Sequence, residues 1–158
     1  MSALRRLTPD DLPRLRRFWV EHWGGEEMLA HGVVYRPEQL EGFVIEDGEE
    51  WIGLLTFFIE ADECEVTSLD SLHEGQGIGS RLIDKVIEEA RARNCRRLFL
   101  ITTNDNLNAL GFYQKRGFAL VAVHRGAVNE SRKRKPTIPL VGMNGIPLRD
   151  EIELEMKL

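Results

Sequence analysis

The chain has 158 residues, of which 42% are hydrophobic and 30% charged, proportions that suit one folded domain with a sizeable core and exclude wholesale disorder. Its 21 Lys and Arg against 26 Asp and Glu leave a net charge of −5, whereas a non-specific nucleic-acid binder is normally basic. No run reaches the apolar length of a membrane span, and the start, Met-Ser-Ala-Leu-Arg-Arg-Leu-Thr-Pro, lacks the apolar core of a signal peptide.

Two cysteines, Cys64 and Cys95, each fall in a predicted regular element. A reduced, cytoplasmic setting is the simplest account, and neither their spacing nor neighbouring histidines point to a metal. Ser2 to Leu7 is expected as a short edge strand. Thr8-Pro9-Asp10-Asp11 opens a helix, with Thr8 as N-cap and Pro9 at the first helical position. Leu12, Leu15, Phe18, Trp19 and Trp23 recur at helical spacing, a pattern that expects both tryptophans in the core, and Gly24-Gly25 stop the helix. Glu26 to Pro37 reads as a loop or broken helix, with His31 and Tyr35 as ligand contacts if it lines a cleft.

From Gly42 the period changes to two. Phe43 to Ile45, the turn Asp47-Gly48-Glu49-Glu50, and Trp51 to Ile59 form a hairpin, and Glu63 to Leu69 forms the next strand. Three glycines in alternation follow, Gly75, Gly77 and Gly79, and then an amphipathic helix with Ile78, Leu82, Ile83, Val86, Ile87 and Ala90 on one face. Arg97 to Thr103 contains a continuous apolar run expected of a strand buried on both faces. Strand, helix, strand implies a parallel crossover. Asn104-Asp105-Asn106 caps a helix closed by Gly117, and Phe118 to Val123 is a strand. Gly126 to Pro147 reads as irregular, and Glu151 to Leu158 alternates as a half-buried strand that could pair with a second copy as a homodimer.

A strand that enters a glycine turn and leaves as a helix makes an anion site. Glycines admit left-handed backbone and close approach, and the helix start offers unpaired N–H groups at the positive end of its dipole. A dinucleotide or S-adenosylmethionine site would place this turn after the first strand, carry a glycine where Ser80 stands, and end the next strand in a carboxylate, here Thr102-Thr103.

Glu74-Gly75-Gln76-Gly77-Ile78-Gly79 resembles the Q/R-x-x-G-x-G/A acyl-CoA signature of the GNAT acetyltransferase superfamily, with Glu74 departing from Gln or Arg. Asn106 to Phe118 resembles its N-x-x-A-x-x-F-Y-x-x-x-G-F motif. The two stand in order, one helix and one strand apart. The resemblance implies a single acetyltransferase domain over residues 1–158, an α/β fold. Its sheet is mixed and mostly antiparallel, with a central parallel strand pair splayed around the CoA site and helices flanking it.

It further implies acetyl-CoA as co-substrate, no metal, and direct transfer of the acetyl group to a primary amine, of a small molecule or a protein. Neither nucleic acid nor membrane is implied as a partner. The backbone of Leu69, Asp70, Ser71 and Leu72 would meet pantetheine. Glu74 to Ser80 would meet the pyrophosphate, and Asn106, Ala109 and Phe112 the rest of CoA, although an N-cap role explains Asn106 equally well. A carboxylate at Glu74 should repel phosphate, so backbone N–H groups are expected to carry that site. Tyr113 matches the tyrosine that protonates the leaving thiolate. Glu65, or Glu63 two residues away on the same strand face, is the candidate base, with water alone as the alternative. Asp70 falls on the opposite face by parity unless a bulge intervenes. Trp19 to Tyr35 and Arg125 to Pro147 would set the acceptor, and the basic run Ser131 to Lys135 would either hold an anion or face solvent. A non-catalytic acetyl-CoA sensor of the same fold is the alternative.

Overall fold

Local sequence chemistry sets the first elements. In the computed structural model, which describes residues 2–158, β1 (Ser2–Arg6) leads through one 3-10 turn, Pro9–Asp11, into α1 (Leu12–Trp23). The Thr8 N–H donates to the Asp11 carboxylate at 2.8 Å. Arg5 donates to both Asp11 oxygens, at 2.8 and 2.9 Å, and these bonds hold the Asp11 carboxyl down at about 2. Gly24, at φ +80°, ends α1 in the left-handed conformation that spares glycine a steric cost. Leu15, Phe18 and Trp19 are buried as their spacing predicts, but Trp23 is 48% exposed.

The described residues divide into two compact units, one of residues 2–28, Tyr35–Leu98 and Leu158, the other of Leu29–Val34 and Phe99–Lys157. Glu26 to Pro37 is neither loop nor broken helix. It contains a small hairpin of β2 (Met28–Ala30) and β3 (Val33–Tyr35), turned by His31 and Gly32 at positive φ. Three-residue strands are too short for alternation to register in sequence.

In the first unit β4 (Glu41–Asp47), β5 (Glu50–Glu60) and β6 (Glu63–Ser71) form an antiparallel meander, with β1 antiparallel to β4 at the edge. α2 (Ile78–Ala92) buries Ile78, Leu82, Ile83, Val86 and Ala90. It reaches β5 because residue 53 is glycine, where a Cβ would overlap the Ile78 side chain. The β5–β6 register pairs Phe57 with Val66 but Thr56 with Ser68, so Thr67 is an extra residue in β6.

The second unit takes most of β7 (Arg97–Thr103), then α3 (Leu107–Lys115), β8 (Ala119–His124), α4 (Ala127–Arg134) and β9 (Glu151–Lys157). The seven strands run β1-β4-β5-β6-β7-β9-β8, a mixed sheet in which β6 and β7 are the parallel pair. Three expectations change here. β7 alternates, with Leu98 and Leu100 buried but Phe99 and Ile101 partly exposed, so it is not buried on both faces. β9 lies between β7 and β8, so both its edges are taken and it offers none to a second copy.

Residues 126–147 are not wholly irregular, because α4 forms there. Its polar sequence hides it from a period search, and side-chain bonds support it instead. Arg132 donates to the Asn129 side chain at 2.7 Å and to the carbonyls of Ile138, Pro139 and Leu148 at 3.1, 2.9 and 2.8 Å, while Lys133 pairs with Glu130 at 3.1 Å. The basic run is therefore partly consumed in holding its own loop. Among the described residues no helix is long and apolar enough to cross a membrane.

Candidate active site

Between β6 and α2 the chain makes the glycine turn on its exposed surface. Gly75 and Gly77 sit at φ +76° and +69°, and nothing lies within 4 Å of where a Cβ would stand at either. Left-handed backbone explains both glycines, and the open space above them leaves room for a ligand. Gly77 is the N-cap of α2, and the first helical bond runs from the Arg81 N–H to the Gly77 carbonyl at 3.0 Å. The N–H groups of Ile78 and Gly79, which precede that first bond, point out of the positive end of the helix.

This arrangement suits a pyrophosphate on geometry alone. Glu74 and Gln76 are exposed, Ser80 is partly so, and Gly79 is buried inside the first turn. The Leu72 N–H is used by the Ile52 carbonyl at 3.0 Å, while Leu69, Asp70 and Ser71 pair with Leu55, Leu54 and Gly53.

The carboxylates of β6 have different fates. Glu63 is held by Arg96 and Arg97, each at 2.6 Å, in an ion-pair cluster at the start of β6. Glu65 is 4% exposed and accepts the Tyr35 hydroxyl at 2.5 Å. Burial, and secondarily that bond, push the Tyr35 hydroxyl pKa up.

The parity expectation for Asp70 fails for a definite reason. Because Thr67 is extra, Glu65, Ser68 and Asp70 pair with Phe58, Thr56 and Leu54, which alternate along β5, so all three share one face. Asp70 is half-buried, and burial pushes its carboxyl up to about 6 against the opposing effect of the Trp23 indole N–H, which donates at 3.3 Å, and of His22. Sequence reading places Asp70 only among backbone contacts. The signal for its side chain was the bulge, which no residue type announces, and Trp23, which helical spacing sends to the core.

In the second unit, the Asn106 side-chain oxygen accepts the Ala109 N–H at 3.1 Å and caps α3. Tyr113 is 8% exposed, edge-on to Phe112 and Phe118 at 5.1 and 5.4 Å. Arg116 lies over the Phe112 ring at 3.6 Å and donates to its carbonyl at 2.9 Å. Gly117, at φ +96°, ends the motif. Asp105 is 2% exposed, accepting the Thr103 hydroxyl at 2.5 Å and the Met143 N–H at 2.8 Å, so the segment before α3 also anchors the loop before β9.

A family model described as the acetyltransferase (GNAT) family matches residues 4–118. The uncharacterized protein YxbD of Bacillus subtilis (strain 168) is 44% identical over 151 residues, covering 95% of this chain and 94% of the relative. YdhI of the same organism is 46% identical over 139 residues, 87% of each chain. Among solved structures, the IAA acetyltransferase from Bacillus cereus ATCC 14579 is similar in fold, with a TM-score of 0.73 at 21% identity over the whole of both chains. A GNAT family acetyltransferase from Elizabethkingia anophelis with acetyl-CoA bound gives 0.71 at 21%, over 99% of this chain and 98% of that one. Since the matched span takes in the glycine turn and the whole of Asn106 to Phe118, the chain belongs to the GNAT acetyltransferase family.

Proposed function

We propose that residues 1–158 act as one acetyltransferase domain that moves the acetyl group of acetyl-CoA directly to a primary amine, with Asp70 as the base. The observation that carries the donor side is the turn at Gly75 and Gly77, open to approach and followed directly by the positive N-terminal end of α2. The base is carried by the face that Asp70 shares with Glu65 and by its raised carboxyl, which near 6 is still ionised at neutral pH yet basic enough to take a proton. Glu65, bonded to Tyr35, helps fix that face, and Glu63 takes no part in this reading.

In the reaction the amine nitrogen attacks the thioester carbonyl carbon. Its proton passes to Asp70, directly or through one water, as the C–N bond forms. The C–S bond then breaks, and the thiolate takes a proton from the Tyr113 hydroxyl, the role its place in the second motif suggests. A backbone N–H near Leu69 is the proposed donor to the carbonyl oxygen. Asn106, Ala109 and Phe112 are the proposed further contacts to CoA.

Release of free thiol from acetyl-CoA across a panel of amines, with mass spectrometry of the acetylated product, tests this reading. Equimolar thiol and N-acetyl product support it. Acetyl-CoA binding with no turnover on any amine would favour a sensor of the same fold, and no binding would remove the donor assignment.

A further inference from the structure

The second unit contains a cavity of about 460 Å³. It opens between the β2–β3 hairpin at Leu29 and His31, α4 at Ala127 and Ser131, and the paired residues His124 and Glu151 of β8 and β9. That volume lies within the range of small-ligand sites.

Glu151 is the unusual wall. It belongs to the glutamate face of β9, which alternation expects to be wet, yet it is 5% exposed because the hairpin covers it. Both its oxygens lie 3.2 Å from the backbone N–H of His31. One N–H satisfies part of a carboxylate's hydrogen-bonding capacity and none of its charge, and a buried carboxylate with no positive partner is costly.

The basic side chains of His124 and Lys133 are engaged elsewhere: His124 bonds Glu153 at 3.0 Å and Lys133 pairs with Glu130. Arg134, which also lines the cavity, is exposed on its rim, and among the described residues it forms no ion pair with Glu151 or any other carboxylate. Glu130, the other carboxylate of the lining, is taken up by Lys133, which leaves a negative group on the buried wall and a positive group on the rim, not paired with each other, as the complement of a ligand carrying both charges.

We propose that this cavity binds a small zwitterion, its ammonium group at Glu151 and its carboxylate toward Arg134. An ammonium would complete the hydrogen bonding of the Glu151 oxygens and neutralise their charge, and a guanidinium matches a carboxylate in two parallel bonds. The carboxylate beside it keeps that nitrogen protonated, so the nitrogen seated at Glu151 is an anchor and not a nucleophile. The assignment stands on the cavity and does not depend on acetyl transfer.

Calorimetry without acetyl-CoA tests it, using glycine, 4-aminobutyrate and 6-aminohexanoate as zwitterions of increasing length, with butylamine and butyrate as single-charge controls. At least one zwitterion should bind saturably and about tenfold or more tighter than either control, as a second charge-assisted contact implies. Glu151→Gln, which keeps an acceptor for the His31 N–H, should weaken that zwitterion at least tenfold while sparing butyrate. Arg134→Gln, at an exposed position, should weaken it while sparing butylamine. Ala127→Leu, which fills the cavity and leaves both charges, should abolish binding of all three.

No saturable zwitterion binding, or binding that survives Ala127→Leu, overturns the proposal. So does butylamine binding as tightly as the best zwitterion. Should Glu151→Gln lose its native circular dichroism, Arg134→Gln and Ala127→Leu decide the matter. Because acetyl-CoA is absent, a negative result leaves the transferase reading untouched, and an inactive transferase leaves this one untouched.

Discussion

The turn at Gly75 and Gly77 offers a ligand main chain, whereas the cavity at Glu151 offers side chains. At the turn, the residue types record what the backbone must do. Positive φ at two positions two residues apart, followed by a helix start, admits few alternatives to glycine. At the cavity no residue type is diagnostic. Glu151 is one of several glutamates alternating along β9, and only the hairpin packed over it makes it a buried charge. Asp70 lies between these cases: its strand is legible, but the face it takes depends on one extra residue, Thr67.

The largest effect expected is at Asp70. Asp70→Asn should lower kcat about 100-fold or more if it is the base, and it should also stabilise the fold at neutral pH. The folded state raises this carboxyl from the usual 3.8 to about 6, so it holds the proton more tightly than the unfolded chain does. No penalty applies below about pH 4. Stability falls as pH rises from there through about 6, and the full penalty remains at pH 7. Removing it should add about 1–3 kcal/mol at pH 7 and little at pH 3.5. Thermal melts at both pH values, beside kcat, check the pair of effects. A kcat within twofold of the parent would return the base to Glu65 or to water.

Next comes the turn itself. Gly77→Val forces a branched side chain into left-handed backbone, a strain of about 1–2 kcal/mol, and places it over the proposed pyrophosphate. The apparent KM for acetyl-CoA should rise about tenfold or more. An unchanged KM would move the phosphate site away from the turn. Tyr113→Phe keeps the packing against Phe112 and Phe118 and removes the hydroxyl, so kcat should fall about tenfold, less than general acid catalysis usually contributes because a thiolate leaves readily, with little change in KM.

Two smaller effects sharpen the contrast. Glu65→Gln should leave the acidic limb of the kcat pH profile near pH 6 in place, since that limb is assigned to Asp70. Its disappearance in this variant would reverse the assignment. Glu74→Gln should tighten acetyl-CoA only about two- to fivefold by calorimetry, the size expected for removing an exposed repulsive charge. No change would mean that the side chain points away from the phosphates.

Periodicity and glycine placement in the chain determined the elements that carry the proposed donor contacts: the β4–β5–β6 meander, the turn, α2, β7 and the capped α3. Each depends on interactions between residues close in sequence, and those leave a readable period or a required residue type. Tertiary structure decided the rest. It buried Glu65 against Tyr35, tied Glu63 to Arg96 and Arg97, and set Asp70 beneath the Trp23 indole. It also gave the polar α4 its supports and covered Glu151 with a hairpin too short to leave a pattern. Whether a carboxylate is paired, buried or poised to take a proton depends on which distant segment packs over it, and a period in the chain carries no information about that.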